Sequence, residues 1–116
     1  MSMNIEIYTS VNCFYCVAAK RLLDEKNISY SEYDVSSDIT LRKKMLEKAN
    51  GSRTVPQIFI NDVHIGGCDE LYEMDRKGTL NDIILNNINN DYSNKLTSKE
   101  IRSLLHKLKK DQSLPA

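Results

Sequence analysis

Two short segments rich in β-forming residues flank one amphipathic helix within the first 35 residues of the chain. Residues 4–8 and residues 29–35 both alternate apolar and polar side chains, which is typical of half-buried strands. Between them, residues 14–26 carry apolar side chains at helical spacing, namely Val17, Ala18, Leu22 and Leu23. A strand, a helix and a strand joined by short loops predict a right-handed crossover between two parallel strands.

A second helix and a β-hairpin are predicted next. Residues 36–38 offer N-cap side chains for a helix whose apolar residues are Leu41, Met45, Leu46 and Ala49. After Pro56, the apolar runs 57–60 and 63–65 are separated by the polar pair Asn61-Asp62. Two β-rich runs on either side of a two-residue polar turn predict a tight hairpin.

Two further helices complete the predicted domain, one over residues 69–77 and one that begins near Thr79. Because the hairpin adds antiparallel strands to the parallel pair, we expect an α/β, thioredoxin-like fold, with a four-stranded mixed sheet flanked by helices. The chain has 116 residues and 41% apolar residues, which suit one compact core. We predict that residues 1–86 form this domain.

The end of the chain predicts a C-terminal helical extension over residues 87–116. Residues 86–95 are too polar for a core element and are typical of a linker. A capping box at residues 97–100 precedes an apolar stripe of Ile101, Leu104, Leu105 and Leu108. This amphipathic helix can dock on its own domain, pair with another chain or touch a membrane surface weakly.

The charge balance excludes several classes of partner. Sixteen basic and sixteen acidic side chains cancel, so no long-range field attracts nucleic acid or an anionic membrane.

No apolar run reaches the roughly 20 residues needed to span a bilayer, and residues 1–6 lack the pattern of a secretory signal. Three cysteines do not suit a secreted disulfide framework. We therefore expect a cytoplasmic protein without a transmembrane segment.

Cys13 and Cys16 carry the predicted chemistry. Cys13 follows a strand and begins a helix, where unpaired N–H groups and the helix dipole favour a thiolate, which is the attacking form of cysteine. Cys16 lies one turn further along the helix, so Cys13 should attack a disulfide and Cys16 should resolve it. Two other interpretations are that the cysteines only fill space, or that they bind zinc together with His64 and Cys68. The single C-x-x-C in a strand-turn-helix context favours redox chemistry.

Three ordered motifs together resemble a known family: Cys13-Phe14-Tyr15-Cys16, Thr54-Val55-Pro56 and Gly66-Gly67-Cys68-Asp69. They are similar to the active-site, cis-proline and Gly-Gly-x-Asp segments of glutaredoxins, especially of the small bacterial dithiol type, and the resemblance covers residues 5–85. It implies a glutathione-dependent thiol-disulfide oxidoreductase that reduces protein disulfides and protein-glutathione mixed disulfides. Glutathione would be a co-substrate, no cofactor would be tightly bound, and the protein would be a monomer.

The resemblance also implies a glutathione groove. Pro56 would be cis and lie against the active-site loop, which leaves the main chain of Val55 free to pair with the cysteine portion of glutathione. The start of the helix after the two glycines would hold the γ-glutamyl end, and Asp69 could also cap this helix. By resemblance, the binding residues are Tyr15, Arg42, Thr54, Val55, Pro56, Gly67, Cys68 and Asp69, with Arg42 meeting the glycyl carboxylate.

Two positions depart from the family pattern. Phe14 stands where many dithiol members have proline. An alternative function therefore stays open, in which the protein carries an iron-sulfur cluster that is ligated by glutathione and bridges two subunits. Ser10 stands where relatives often have a lysine that meets the glycyl carboxylate, so Arg53 or Lys20 would have to replace that charge. Thioredoxin itself is a poor match, since the chain contains no tryptophan.

Overall fold

The computed structural model describes residues 4–89. The predicted linker beyond residue 89 and the predicted amphipathic helix lie outside the described residues. Four strands and four helices follow one another in the order β1 (Ile5–Thr9), α1 (Phe14–Glu25), β2 (Ser31–Asp34), α2 (Ile39–Lys48), β3 (Gln57–Ile60), β4 (Val63–Gly66), α3 (Cys68–Arg76) and α4 (Thr79–Asn89).

The four strands form one mixed sheet in the order β2-β1-β3-β4. Strand β1 pairs parallel with β2 and antiparallel with β3, and β3 pairs antiparallel with β4. Tyr8 thus lies opposite Tyr33 on one side and Gln57 on the other. The predicted thioredoxin-like fold, with its parallel crossover and its hairpin, is confirmed.

Helices cover both faces of the sheet, because alternate side chains of the central strands point to opposite sides. Helices α1, α3 and α4 pack on the face that carries Ile7 and Ile58, where they bury residues such as Leu23, Leu71 and Ile83. On the other face, Met45 of α2 and its C-cap residue Ala49 pack against Tyr8, Val35 and Phe59.

Helix α1 is positioned by a stripe of buried side chains, Cys16, Ala19, Leu22 and Leu23. Val17 is also apolar and was expected on this face, but it is 49% exposed. Successive helical residues are rotated by about 100°, so Val17 turns away from the stripe that Cys16 and Ala19 define. The helix therefore anchors Cys16 in the core and leaves its neighbours Phe14, Tyr15 and Val17 at the surface.

Helix α4 continues to Asn89, three residues beyond the predicted domain end at residue 86. Leu80 and Ile83 anchor this helix in the core. Asparagine costs at most about 0.7 kcal/mol relative to alanine in a helix, so an anchored helix can continue through a polar stretch. Within residues 4–89, no helix has both the length and the apolar character to cross a membrane.

Candidate functional site

The site begins where β1 ends and the chain turns into α1. Asn12 adopts a left-handed backbone conformation with φ of 56°, and the N–H of Val11 donates to Ser36 Oγ at 2.8 Å, which ties this loop to the segment after β2. Cys13 is the N-cap residue of α1. The loop therefore presents Cys13 at the helix start, as the sequence predicts.

The two cysteines of the C-x-x-C motif are brought together by the first turn of α1. Their Cα atoms are 5.2 Å apart, and their Sγ atoms lie in disulfide contact. The Sγ of Cys13 also accepts a hydrogen bond from the N–H of Cys16 at 3.1 Å, which is the role of an N-cap side chain. Cys13 is half-buried and Cys16 is buried, so the first sulfur is the more accessible one.

The loop before β3 lies directly opposite Cys13. The peptide bond between Val55 and Pro56 is cis, as the family resemblance implies. The carbonyl oxygen of Val55 is 3.7 Å from Cys13 Sγ. A ligand whose sulfur is bonded to Cys13 would thus lie beside the main chain of Val55.

A cavity of about 330 Å³ opens next to this contact. It is lined by seven of the eight predicted binding residues and by Glu70: Tyr15, Thr54, Val55, Pro56, Gly67, Cys68, Asp69 and Glu70. Arg42, the eighth predicted residue, belongs to α2 and does not line this cavity. The fold therefore gathers three distant motifs around one groove, and the binding roles of their residues stay predictions.

The start of α3 forms one wall of this groove. Gly67, not Asp69, is the N-cap residue of α3, so the expected capping role of Asp69 is wrong. The N–H of Gly67 donates to the Glu70 carboxylate at 2.6 Å. This bond is one half of a capping box, and the spacing from Gly67 to Glu70 was the sequence signal for it.

The chain runs close to neighbouring groups at both glycines before α3. Gly66 has φ of +117°, and a Cβ there would lie 2.7 Å from the Glu70 side chain. A Cβ on Gly67 would lie 3.1 Å from the carbonyl oxygen of Pro56. Gly66 therefore needs the conformational freedom of glycine, and Gly67 leaves little room for a side chain under the Pro56 loop.

Cys68 is the first residue of α3, and it is a buried, unpaired thiol. Burial raises the pKa of the Cys68 thiol, and the neighbouring charges of Asp69 and Glu70 raise it further. Since the thiolate is the reactive form, Cys68 is a poor nucleophile at neutral pH. Cys68 is therefore unsuited to act as a second attacking thiol beside Cys13.

A second, larger cavity of about 500 Å³ lies on the other side of the dithiol, and Lys20, Glu32 and both cysteines contribute to its lining. Lys20 Nζ is 2.9 Å from a Glu32 carboxylate oxygen that also accepts from the Thr9 hydroxyl at 2.8 Å. The hydrogen bond to Lys20 lowers the pKa of Glu32, and the same bond raises the pKa of Lys20. Lys20 is thus held in an ion pair and does not line the groove, so it is a poor replacement for the lysine that relatives have at the position of Ser10.

The zinc interpretation lacks a cluster of ligands. In the part of the chain that the structure describes, no three His, Cys, Asp or Glu side chains are grouped closely enough to hold a metal ion. The Nε2 of His64 instead lies 2.6 Å from Gln57 Oε1. The structure does not bring Cys13, Cys16, His64 and Cys68 together.

The sheet order, the cis-proline loop and the C-x-x-C motif at the start of α1 define the class to which this chain belongs, the dithiol proteins of thioredoxin-like fold. The glutaredoxin family model matches residues 5–65. Glutaredoxin 1 of Rickettsia conorii is 46% identical over 83 residues, which are 71% of this chain and 81% of that protein. The chain belongs to the glutaredoxin family, whose members are generally thiol-disulfide oxidoreductases.

Two more relatives agree with this assignment. Glutaredoxin 3 of Escherichia coli K12 is 46% identical over 81 residues, which are 70% of this chain and 96% of that protein. The solution structure of glutaredoxin from Brucella melitensis is 44% identical, with a TM-score of 0.63, and the match covers 72% of this chain and 91% of the other. These three matches thus cover between 70% and 72% of the chain.

Proposed function

We propose that this protein is a glutathione-dependent oxidoreductase that reduces protein-glutathione mixed disulfides and protein disulfides, with Cys13 as nucleophile and Cys16 as resolving thiol. The observation that carries the proposal is the position of Cys13. It caps α1, lies within disulfide reach of Cys16 and faces Val55 beside the groove.

With a mixed disulfide, the Cys13 thiolate attacks the glutathione sulfur. The bond between the two substrate sulfurs breaks, the protein leaves as a thiolate that takes up a proton, and Cys13 becomes glutathionylated. The thiolate of a second glutathione then attacks the glutathione sulfur on Cys13. Glutathione disulfide is released, and the Cys13 thiolate is restored.

With a protein disulfide, Cys13 forms a mixed disulfide with one substrate sulfur and the other substrate sulfur leaves as a thiolate. Cys16, deprotonated as that thiolate is protonated, attacks Cys13 Sγ and releases the second substrate thiolate. The product is the Cys13–Cys16 disulfide, in the contact that the structure contains. Two molecules of glutathione then reduce it, forming one glutathione disulfide.

The groove supplies contacts for each part of glutathione. The N–H groups of Cys68 and Asp69 at the start of α3 suit the γ-glutamyl carboxylate, and the Asp69 carboxylate suits its ammonium group. The main chain of Val55 suits the cysteine portion, and the exposed ring of Tyr15 forms a side wall. Arg42 lies outside this lining, so its proposed contact with the glycyl carboxylate requires the ligand to extend toward α2.

The test is a coupled assay that contains a small glutathione mixed disulfide, glutathione, glutathione reductase and NADPH. The proposal predicts NADPH oxidation that depends on both this protein and glutathione. Absence of turnover, together with the visible absorbance of an iron-sulfur cluster in protein purified without oxygen, would favour the carrier alternative. Turnover supported by thioredoxin reductase and not by glutathione would also contradict the proposal.

A further inference from the structure

Gln57 is a buried polar residue that the proposed mechanism does not use. It is the first residue of β3, it directly follows Pro56, and its exposed fraction is 3%. Its side-chain nitrogen donates to the carbonyl oxygen of Thr54 at 2.9 Å, to Thr54 Oγ1 at 3.1 Å and to Ser52 Oγ at 3.0 Å. Its side-chain oxygen lies 2.6 Å from His64 Nε2.

These partners determine the orientation of the Gln57 amide. A backbone carbonyl can only accept, so the NH₂ group must face Thr54 and the oxygen must face His64. His64 then donates through its Nε2–H. One side chain therefore joins the loop before β3 to the facing strand β4, to which His64 belongs.

The hydrogen bond to the Thr54 carbonyl also sets the direction of the next N–H. The Thr54 carbonyl and the Val55 N–H belong to one planar trans peptide group, in which they point in opposite directions. While Gln57 holds the carbonyl on the buried side, the Val55 N–H must point away from Gln57. Both Thr54 and Val55 line the groove.

We propose that Gln57 is a positioning residue for glutathione, which fixes the Thr54–Val55 peptide plane so that the Val55 N–H faces the groove, with His64 holding Gln57 in place. This inference rests on the proposed function, because it assigns a supporting residue to the proposed glutathione groove. Gln57 touches neither the ligand nor the reacting sulfurs. Its effect should be confined to ligands that have a peptide backbone.

The experiment compares two disulfides that react at the same sulfur. In a Cys16→Ser background of the full chain, Cys13 is equilibrated with glutathione disulfide or with hydroxyethyl disulfide, and both mixed disulfides are quantified by mass spectrometry. Hydroxyethyl disulfide has no backbone for Val55 to bind. The preference of Cys13 for glutathione over hydroxyethyl therefore isolates the contribution of the groove.

Gln57→Leu should lower this preference about tenfold, which corresponds to about 1.4 kcal/mol, while formation of the hydroxyethyl mixed disulfide stays unchanged. His64→Leu should lower the preference by less than Gln57→Leu does. His64→Gln keeps a donor for the Gln57 oxygen and should keep the preference of the parent. Ser52→Ala is the matched control, because it removes one partner of Gln57 and leaves the Thr54 carbonyl bond. It should change the preference by less than about twofold.

A second measurement tests the positioning without any ligand. In the free protein, the NMR order parameter of the Val55 amide should fall from about 0.85 toward 0.6 in Gln57→Leu, and it should stay high in Ser52→Ala. An unchanged order parameter, or an equal loss of both mixed disulfides, would overturn the inference. If the parent protein shows no preference for glutathione, the proposed function fails, and the order parameter still decides whether Gln57 positions Val55.

Discussion

Replacing Gly66 by alanine should destabilise the protein through two separate effects that the structure allows to be distinguished. The backbone φ of +117° at Gly66 is costly for a residue that has a Cβ, at about 1–3 kcal/mol. The new Cβ would also lie 2.7 Å from Glu70 Cγ and Oε1. Glu70 must therefore move and give up its bond to the Gly67 N–H.

The free-energy cost of the second effect, loss of the bond between Glu70 and the Gly67 N–H, can be estimated independently. Loss of an N-terminal helix cap costs about 1 kcal/mol, and Glu70 is exposed, so the variant Glu70→Ala should lose about that much. Gly66→Ala, which suffers both effects, should lose about 2–4 kcal/mol. The double variant cannot lose the cap twice, so it should be about as stable as Gly66→Ala alone.

The assay is urea unfolding of the parent protein, the two single variants and the double variant under reducing conditions. The double-mutant cycle should show a coupling of about 1 kcal/mol between the two sites. Additive losses, or a Gly66→Ala variant within about 0.5 kcal/mol of the parent, would refute the argument that Gly66 is required by the left-handed backbone and the Glu70 contact.

Other predictions concern the ion pair, the buried thiol and the extension. Because the pKa of Glu32 is lowered, the ion pair with Lys20 stabilises the fold at pH values above 4.5, the ordinary pKa, and this stabilisation is lost as the pH falls through the pKa of the folded state. In urea unfolding, Lys20→Met should lower the free energy of unfolding by about 0.5 kcal/mol at pH 7 and leave it unchanged near pH 2. Since burial raises the pKa of Cys68, its alkylation by iodoacetamide in a Cys13→Ser, Cys16→Ser variant should be slower at pH 7 than that of free cysteine, and equal rates would contradict this. Removing residues 90–116 should leave the turnover within about twofold of that of the full chain. Loss of most activity in a truncated protein whose helical circular dichroism is unchanged would contradict this prediction.

The order of elements was predictable because each strand and helix carries its own local signal. The alternation at residues 4–8 and the two-residue turn at Asn61-Asp62 depend on neighbours in sequence, so β1 and the hairpin were assigned correctly. The mixed sheet then followed from connection rules. The observed ends of the strands and helices differ from the predicted ends by one to a few residues, since these ends are decided by tertiary contacts.

Side-chain burial was less predictable where a helix has apolar residues on more than one side. Val17 and Leu46 are as apolar as the residues beside them, but Val17 is exposed and Leu46 is only half-buried. The stripe that becomes buried depends on how each helix lies on the sheet, which the sequence of that helix alone does not determine.

In the candidate site, the motif residues were found and the residues that support them were missed. Cys13, Cys16 and the Thr54-Val55-Pro56 loop are local motifs. The sequence predicts Gln57 only as a strand residue, because the three residues that it hydrogen-bonds, Ser52, Thr54 and His64, come from a loop and from the facing strand. The cytoplasmic location, the monomeric state and the roles of Arg42 and Arg53 stay predictions from the sequence.

The central claim, that Cys13 is the attacking thiol of a glutathione-coupled enzyme, is tested most directly by the turnover of Cys13→Ser and Cys16→Ser with a small glutathione mixed disulfide in the coupled NADPH assay. Cys13→Ser should lose all turnover. Cys16→Ser should keep most of it, because a second glutathione can release the glutathionyl group from Cys13 without a resolving thiol. Equal loss in the two variants, or residual turnover in Cys13→Ser, would contradict the account.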